Sequence, residues 1–250
     1  MHPAFRRTSH RPWPLPEGRW TWRQSWLDLL FAHWPIAAST LRPLVPDELE
    51  IQEFDGTSWI GVVPFRMEGV TRRPMPAVPF LSAFPELNLR VYVTYEGKPG
   101  VWFLSLDAAN RLAVWTARRY FHLPYHYARM RVSGRSHQIV YRSTRPSGRS
   151  AGRTPVVFEA RYEPTSISFK ARPGRLEHWL TERYCLYAKS KDGRLSRTEI
   201  HHRPWLLQRA TAEITRNDLG EPLGLRFSGA PSLLHFSQRI DVVVWSPVEL

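Results

Sequence analysis

Residues 85–108 read PELNLRVYVTYEGKPGVWFLSLDA, and this stretch decides the fold. Leu87, Leu89, Val91 and Val93 alternate with Asn88, Arg90, Tyr92 and Thr94, the period of two that marks a strand. EGKPG at 96–100 supplies turn residues, and 101–106 returns with β-branched and aromatic content. The segment predicts a hairpin whose first strand opens at Glu86. Glu86, Asn88, Arg90 and Tyr92 share its polar face. Pointing inward, that row would furnish a ligand pocket; pointing outward, it would be a solvated face with cross-strand ion pairs. Alternation alone leaves both open.

Working outward, Asp107 is placed to N-cap a helix over 108–121, which Pro124 ends within HLPYH, 122–126. Upstream, 58–67 reads as a strand in which Gly61 and Pro64 mark a bend or bulge. Residues 21–34, TWRQSWLDLLFAHW, fit a helix or a long strand, ended by Pro35. A short helix is expected over 37–44 and an irregular proline-rich loop over 69–85. Downstream, strands are predicted over 128–141, 155–162, 166–170, 186–188, 195–202, 206–214, 223–227 and 240–245, with a short helix over 176–184 and a KDGR turn at 191–194. Many short strands with few helices imply an α+β, mostly β domain over 19–250, built on a strongly curved sheet or barrel. Residues 1–18, with four prolines, read as an extended arm.

Composition narrows the function. A chain of 250 residues with 42% hydrophobic content is no disordered chain. A single cysteine, Cys185, excludes a disulfide framework and a cysteine-based zinc site. No apolar run approaches the ~18 residues of a membrane span, and the basic N-terminal stretch has no apolar signal region. A cytoplasmic protein without a membrane partner is therefore expected. The net charge is +13, and arginine supplies 31 of the 35 basic residues. Residues 118–161 hold ten arginines against one acid, Glu159. This is either an electropositive face for a polyanion or a solvated hairpin. No nucleic-acid-binding motif accompanies it, which speaks against nucleic acid as partner.

Candidate chemistry centres on Glu86, Tyr125 and His126 as catalytic groups. Asn88, Arg90, Trp102, Arg118 and His202 are candidate ligand contacts. A histidine beside Trp205 is a general-base candidate as well as an ordinary structural residue. His122 and His126 are spaced like a metal pair, but Pro124 between them denies the helix such a pair needs, so no metal site is assigned. No cofactor is expected, and the oligomeric state is left open, a homo-oligomer included.

The motifs LLFAHWPI (29–36), FDGTSWIGVVPF (54–65), PELNLRVYV (85–93), GVWFLSLDA (100–108), ARRYFHLPYHYARM (117–130), TERYCLY (181–187) and HHRPW (201–205) occur in order along nearly the whole chain. Together they resemble the YqjF-like family of uncharacterised bacterial proteins. More distantly, the chain is similar to acetoacetate decarboxylase, which implies a closed, cone-shaped β-barrel with peripheral helices and an internal pocket. By that resemblance Glu86 matches the family's strand glutamate and Asp107 its aspartate. Its Gly-Arg-Glu becomes Ala117, Arg118 and Arg119, and its Pro-Lys-Lys-Leu-Ala stretch becomes 124–128. Tyr125 thus stands where the reactive lysine would be, and His126 where the neighbouring lysine would be. The family's first-strand arginine has no clear counterpart; Ala32 or His33 falls near it. Schiff-base decarboxylation needs a lysine amine, and no lysine lies between 99 and 169. Three functions follow: binding of a small molecule, anionic or not, in a barrel pocket without imine chemistry; a lyase or hydrolase-like reaction on a keto or enol acid; or polyanion binding through the 118–161 arginines. The residues leave open whether turnover occurs.

Overall fold

The computed structural model describes residues 2–76, 82–135, 137–147 and 154–250. Fifteen strands are present among them. They are β1 (Trp22–Ile36), β2 (Glu50–Ile51), β3 (Glu53–Phe54), β4 (Thr57–Arg72), β5 (Phe84–Tyr95), β6 (Lys98–Ala108), β7 (Tyr125–Tyr127) and β8 (Arg129–Ser133). Then follow β9 (Ile139–Arg145), β10 (Val156–Pro164), β11 (Cys185–Lys189), β12 (Leu195–His202), β13 (Gln208–Asn217), β14 (Leu233–Val244) and β15 (Val248–Glu249). The helices are α1 (Ala38–Leu41), α2 (Arg111–Tyr120) and α3 (Leu176–Thr181).

The predicted hairpin forms β5 and β6, but its turn is tighter than EGKPG suggested. Tyr95 pairs with Lys98, and only Glu96 and Gly97 lie between, both at positive φ (47° and 73°). That geometry is the two-residue turn whose twist matches the flanking strands. From this hairpin the sheet grows by β4, β1 and β14 on one side and by β11 and β12 on the other. β12 then pairs with β14, setting Ile200, His201 and His202 against Val244, Val243 and Val242. The pairing closes a ring of seven strands, the cone-like arrangement expected of an acetoacetate-decarboxylase-like fold.

A second sheet of β8, β9, β10 and β13 hangs from β14 and packs against the outside of the ring. Leu30, Leu87 and Leu89 from the ring meet Tyr141, Phe158 and Tyr162 from this sheet, all buried. Each such side chain contributes about 1.5–3 kcal/mol by leaving water. The contact also reaches the site: the Tyr141 hydroxyl donates to the Glu86 carbonyl at 2.7 Å.

Residues 22–36 are a strand throughout. Their ambiguous pattern comes from one extra residue: between Leu27 opposite Arg66 and Ala32 opposite Val62, β1 advances five positions and β4 four. Asp28 takes the bulge at φ 50°, buried and held by Arg66, whose Nε lies 3.0 Å from its carboxylate. Trp22, Gln24 and Trp26 face inward before the bulge, and Leu29 after it. The phase change erases the period of two. Gly61 answers a close approach rather than a bend, because a Cβ there would sit 3.1 Å from the His33 ring.

Several expectations change. Pro35 lies within β1 rather than beyond its end, and the loop over 69–85 shrinks because β4 runs to Arg72 and β5 begins at Phe84. The cap of α2 is Asn110, whose side chain accepts from the Leu112 and Ala113 amides at 2.9 and 3.0 Å. Asp107 is a residue of β6, paired instead with Arg145 at 2.7 Å. The strand over 128–141 splits into β8 and β9. The stretch 166–170 contributes one bridge, Phe169 to Leu207, and 223–227 is mostly irregular after a 3-10 turn. Residues 148–153 of the predicted arginine loop lie outside the described residues.

Candidate functional site

The seven strands enclose a cavity of about 390 Å³, to which every strand of the ring contributes a side chain and α2 adds one wall. The polar row of β5 points into it: Glu86, Asn88 and Arg90 all line the space and are buried. The reason is parity. Leu87, Leu89 and Val91 are claimed by the packing against the second sheet, so the alternate positions face the interior.

Tyr125 joins them from β7. The helix ends at Tyr120, capped by Phe121, and His122 at φ 53° turns the chain before Pro124 is reached; the three residues after Pro124 pair parallel to β6, with Tyr125 beside Leu106 and His126 beside Asp107. Tyr125 therefore faces the cavity, where its hydroxyl donates to Glu86 Oε2 at 2.7 Å. Burial lifts the Glu86 carboxyl to about 8; the Tyr125 hydrogen bond opposes the rise and the Asp107 charge adds to it. Burial thus favours the neutral acid form of Glu86 near pH 7, within the polar row of the lining. Burial, reinforced by Glu86, raises the Tyr125 phenol well above its ordinary range, so it too keeps its proton.

Two guanidiniums complete the polar lining. Arg90 donates to the Tyr92 hydroxyl and the Leu180 carbonyl, each at 3.3 Å, and lies over Phe31. Arg183 enters from the junction of α3 and β11. It donates to the Trp179 carbonyl at 2.7 Å and to Gln52, and stacks on Trp179 at 4.4 Å. Burial, with a smaller push from Arg90, lowers it to about 10. Neither arginine has a carboxylate partner among the described residues, and Arg183 Nη2 has no hydrogen-bond partner at all among them. Asn88 Oδ1, Thr198 Oγ1 and Trp205 Nε1 on the same lining are likewise buried and unpartnered. Such groups are destabilising unless something meets them.

Five of the eight residues expected from sequence therefore meet at one cavity: Glu86, Asn88, Arg90, Tyr125 and His202. His202 borders it with both ring nitrogens turned to backbone carbonyls, of Arg203 at 2.7 Å and Arg183 at 3.2 Å. The other three lie elsewhere. Trp102 faces the opposite side of β6 from Val101 and Phe103 and donates to the Leu44 carbonyl at 3.1 Å. Arg118 is on the exposed side of α2, whose Ala113 and Ala117 face the cavity instead. His126 alternates away from Tyr125, and burial with the Arg145 and Arg118 charges holds it down at about 4. His33, near the place of the missing first-strand arginine, is buried and hydrogen-bonded to Tyr92 at 2.6 Å. Arg183 and Thr198 are not singled out by the sequence, and Trp205 figures there only as the neighbour of His202; TERYCLY and HHRPW are visible as motifs, but no local pattern aims their side chains at β5.

The ring, its enclosed polar cluster and its helical wall define a protein of the acetoacetate-decarboxylase-like fold. MppR, an enduracididine biosynthesis enzyme solved with the condensation product of pyruvate and imidazole 4-carboxaldehyde, superposes with a TM-score of 0.65 at 12% identity, over 92% of this chain and 88% of that one. Acetoacetate decarboxylase from Legionella pneumophila gives 0.59 at 15% identity, over 96% and 92%. At these identities the likeness is one of fold. Within that class, residues 23–241 match the model of DUF2071, a family described as uncharacterized conserved protein, and the chain belongs to this family. The uncharacterized protein YqjF of Bacillus subtilis (strain 168) is 46% identical over 231 residues, 92% of this chain and 93% of its own length.

Proposed function

We propose that the ring binds a small organic acid, its carboxylate held by Arg90 and Arg183 and its remaining oxygen facing Glu86 and Tyr125. The observation that carries this reading is the pair of buried guanidiniums without a carboxylate partner among the described residues, in the same cavity as the buried, Tyr125-bonded Glu86. A carboxylate answers planar arginine donors, and a carbonyl or enol oxygen answers a neutral acid. MppR, which shares the fold, has also been solved with pyruvate. No lysine is among the cavity-lining residues described, so the reading includes no imine step.

Calorimetric titration tests it. Pyruvate and acetoacetate are expected to bind, and their neutral amides are not. Arg183→Gln is expected to weaken binding about tenfold or more, the usual worth of a charge-assisted hydrogen bond. Equal binding of acids and amides would remove the arginines from the role.

A second reading, turnover of a keto or enol acid, is favoured by Glu86 itself, a general acid hydrogen-bonded to a phenol. Turnover by the parent protein that Glu86→Gln abolishes would support it; turnover unchanged in that variant would oppose it. Polyanion binding has less behind it: Arg145 is taken by Asp107 and Arg142 lies by Glu159.

A further inference from the structure

We propose that the outer face of α2 rests on an anionic lipid surface, seating the mouth of the ring against a bilayer. Leu112, Trp115 and Tyr120 on this helix are 53%, 58% and 59% exposed, and Met75 nearby in the fold is 55% exposed. They are among the few large apolar side chains on the described surface that stay in water. Leu112 and Met75 also line the cavity, so the patch is continuous with its opening. The inner face, Ala113, Val114 and Ala117, packs on the ring core and holds the helix flat.

The helix RLAVWTARRY carries Arg111, Arg118 and Arg119 and no acid. Exposed Arg72, on the cavity wall, and Arg73 extend the charge. Leucine and aromatics rimmed by arginine are the composition of a helix lying in the headgroup plane. Charge selects the occupant. A second copy docked face to face on this helix would bring like arginines together, since a two-fold contact uses the same patch twice. Phospholipid headgroups of negative charge complement it. The expectation of no membrane partner rested on the lack of a spanning segment, and among the described residues no helix is long and apolar enough to span. A helix lying in the surface needs none.

Flotation of the full chain with vesicles tests the proposal. The protein is expected to float with phosphatidylcholine vesicles containing phosphatidylglycerol and to stay behind with phosphatidylcholine alone, the binding fading as salt is raised. Arg118→Gln/Arg119→Gln is expected to lower partitioning roughly 25-fold, about fivefold for each charge. Leu112→Ser/Trp115→Ser is expected to lower it more than about tenfold through lost insertion. All four side chains are surface-facing, and circular dichroism verifies that both variants fold. Three outcomes would overturn the proposal: no flotation with anionic vesicles; flotation unchanged by Leu112→Ser/Trp115→Ser, which assigns adsorption to charge elsewhere; or a dimer in solution that Trp115→Ser dissociates, which makes the face a protein contact.

Discussion

Glu86 carries a consequence measurable without any ligand. Its carboxyl rises from an ordinary 4.5 to about 8, with burial as the main cause. Between those values the folded chain keeps a proton that the unfolded chain has released. Stability from this group is therefore fully present below about pH 4.5 and is lost as pH rises toward 8. Glu86→Gln keeps a neutral side chain at every pH and an oxygen for Tyr125. Relative to the parent it is expected to gain at least about 2 kcal/mol on going from pH 5 to pH 8, read from urea unfolding at both values. Parallel pH profiles for the two proteins would mean that Glu86 is ionised throughout.

At the scale of elements, the start of α2 separates two neighbouring polar residues. Asn110 caps the helix, so Asn110→Ala is expected to lower stability by about 1 kcal/mol. Asp107 is buried in β6 against Arg145, whose Nε and Nη2 reach the same carboxylate oxygen at 2.8 and 2.7 Å. Asp107→Ala strands that guanidinium in a largely buried place, with an expected loss of about 3 kcal/mol or more. Denaturant melts of the two variants provide the comparison. A loss from Asp107→Ala no larger than that from Asn110→Ala would mean that the buried pair with Arg145 contributes no more to stability than the cap.

At the scale of the molecule, the ring closes through only three residue pairs between β12 and β14, and the N-terminal segment braces that seam. Arg11 binds the Glu199 carboxylate at 2.7 Å and the Ile200 carbonyl. Trp13 donates to Glu199 at 2.8 Å, and His10 meets the His202 carbonyl at 2.8 Å. Residues 199–202 all belong to β12. If 19–250 is the folding unit and 1–18 its brace, Arg11→Ala is expected to lower stability by about 2–4 kcal/mol. Amide exchange at 200–202 and 242–244 should then quicken more than in the second sheet. Uniform acceleration across both sheets would mean that the segment supports the whole fold rather than the seam.

The hairpin, the mostly β class and the polar row of Glu86, Asn88 and Arg90 were legible along the chain, because a period of two and turn residues are local properties. Where the pattern failed, a local cause stands: the bulge at Asp28 shifted the phase of β1, and Asn110, three residues from Asp107, offered an equally good cap. The absence of any lysine between 99 and 169 was likewise readable. What only the tertiary structure decided is which face is inside. Ring closure between β12 and β14 and the second sheet outside it turn the β5 row inward, bring Arg183 from nearly a hundred positions away to Arg90, and leave Trp102, Arg118 and His126 off the cavity. Alternation assigns residues to two faces, but which one loses its water depends on contacts between strands distant in sequence, and no local spacing encodes those.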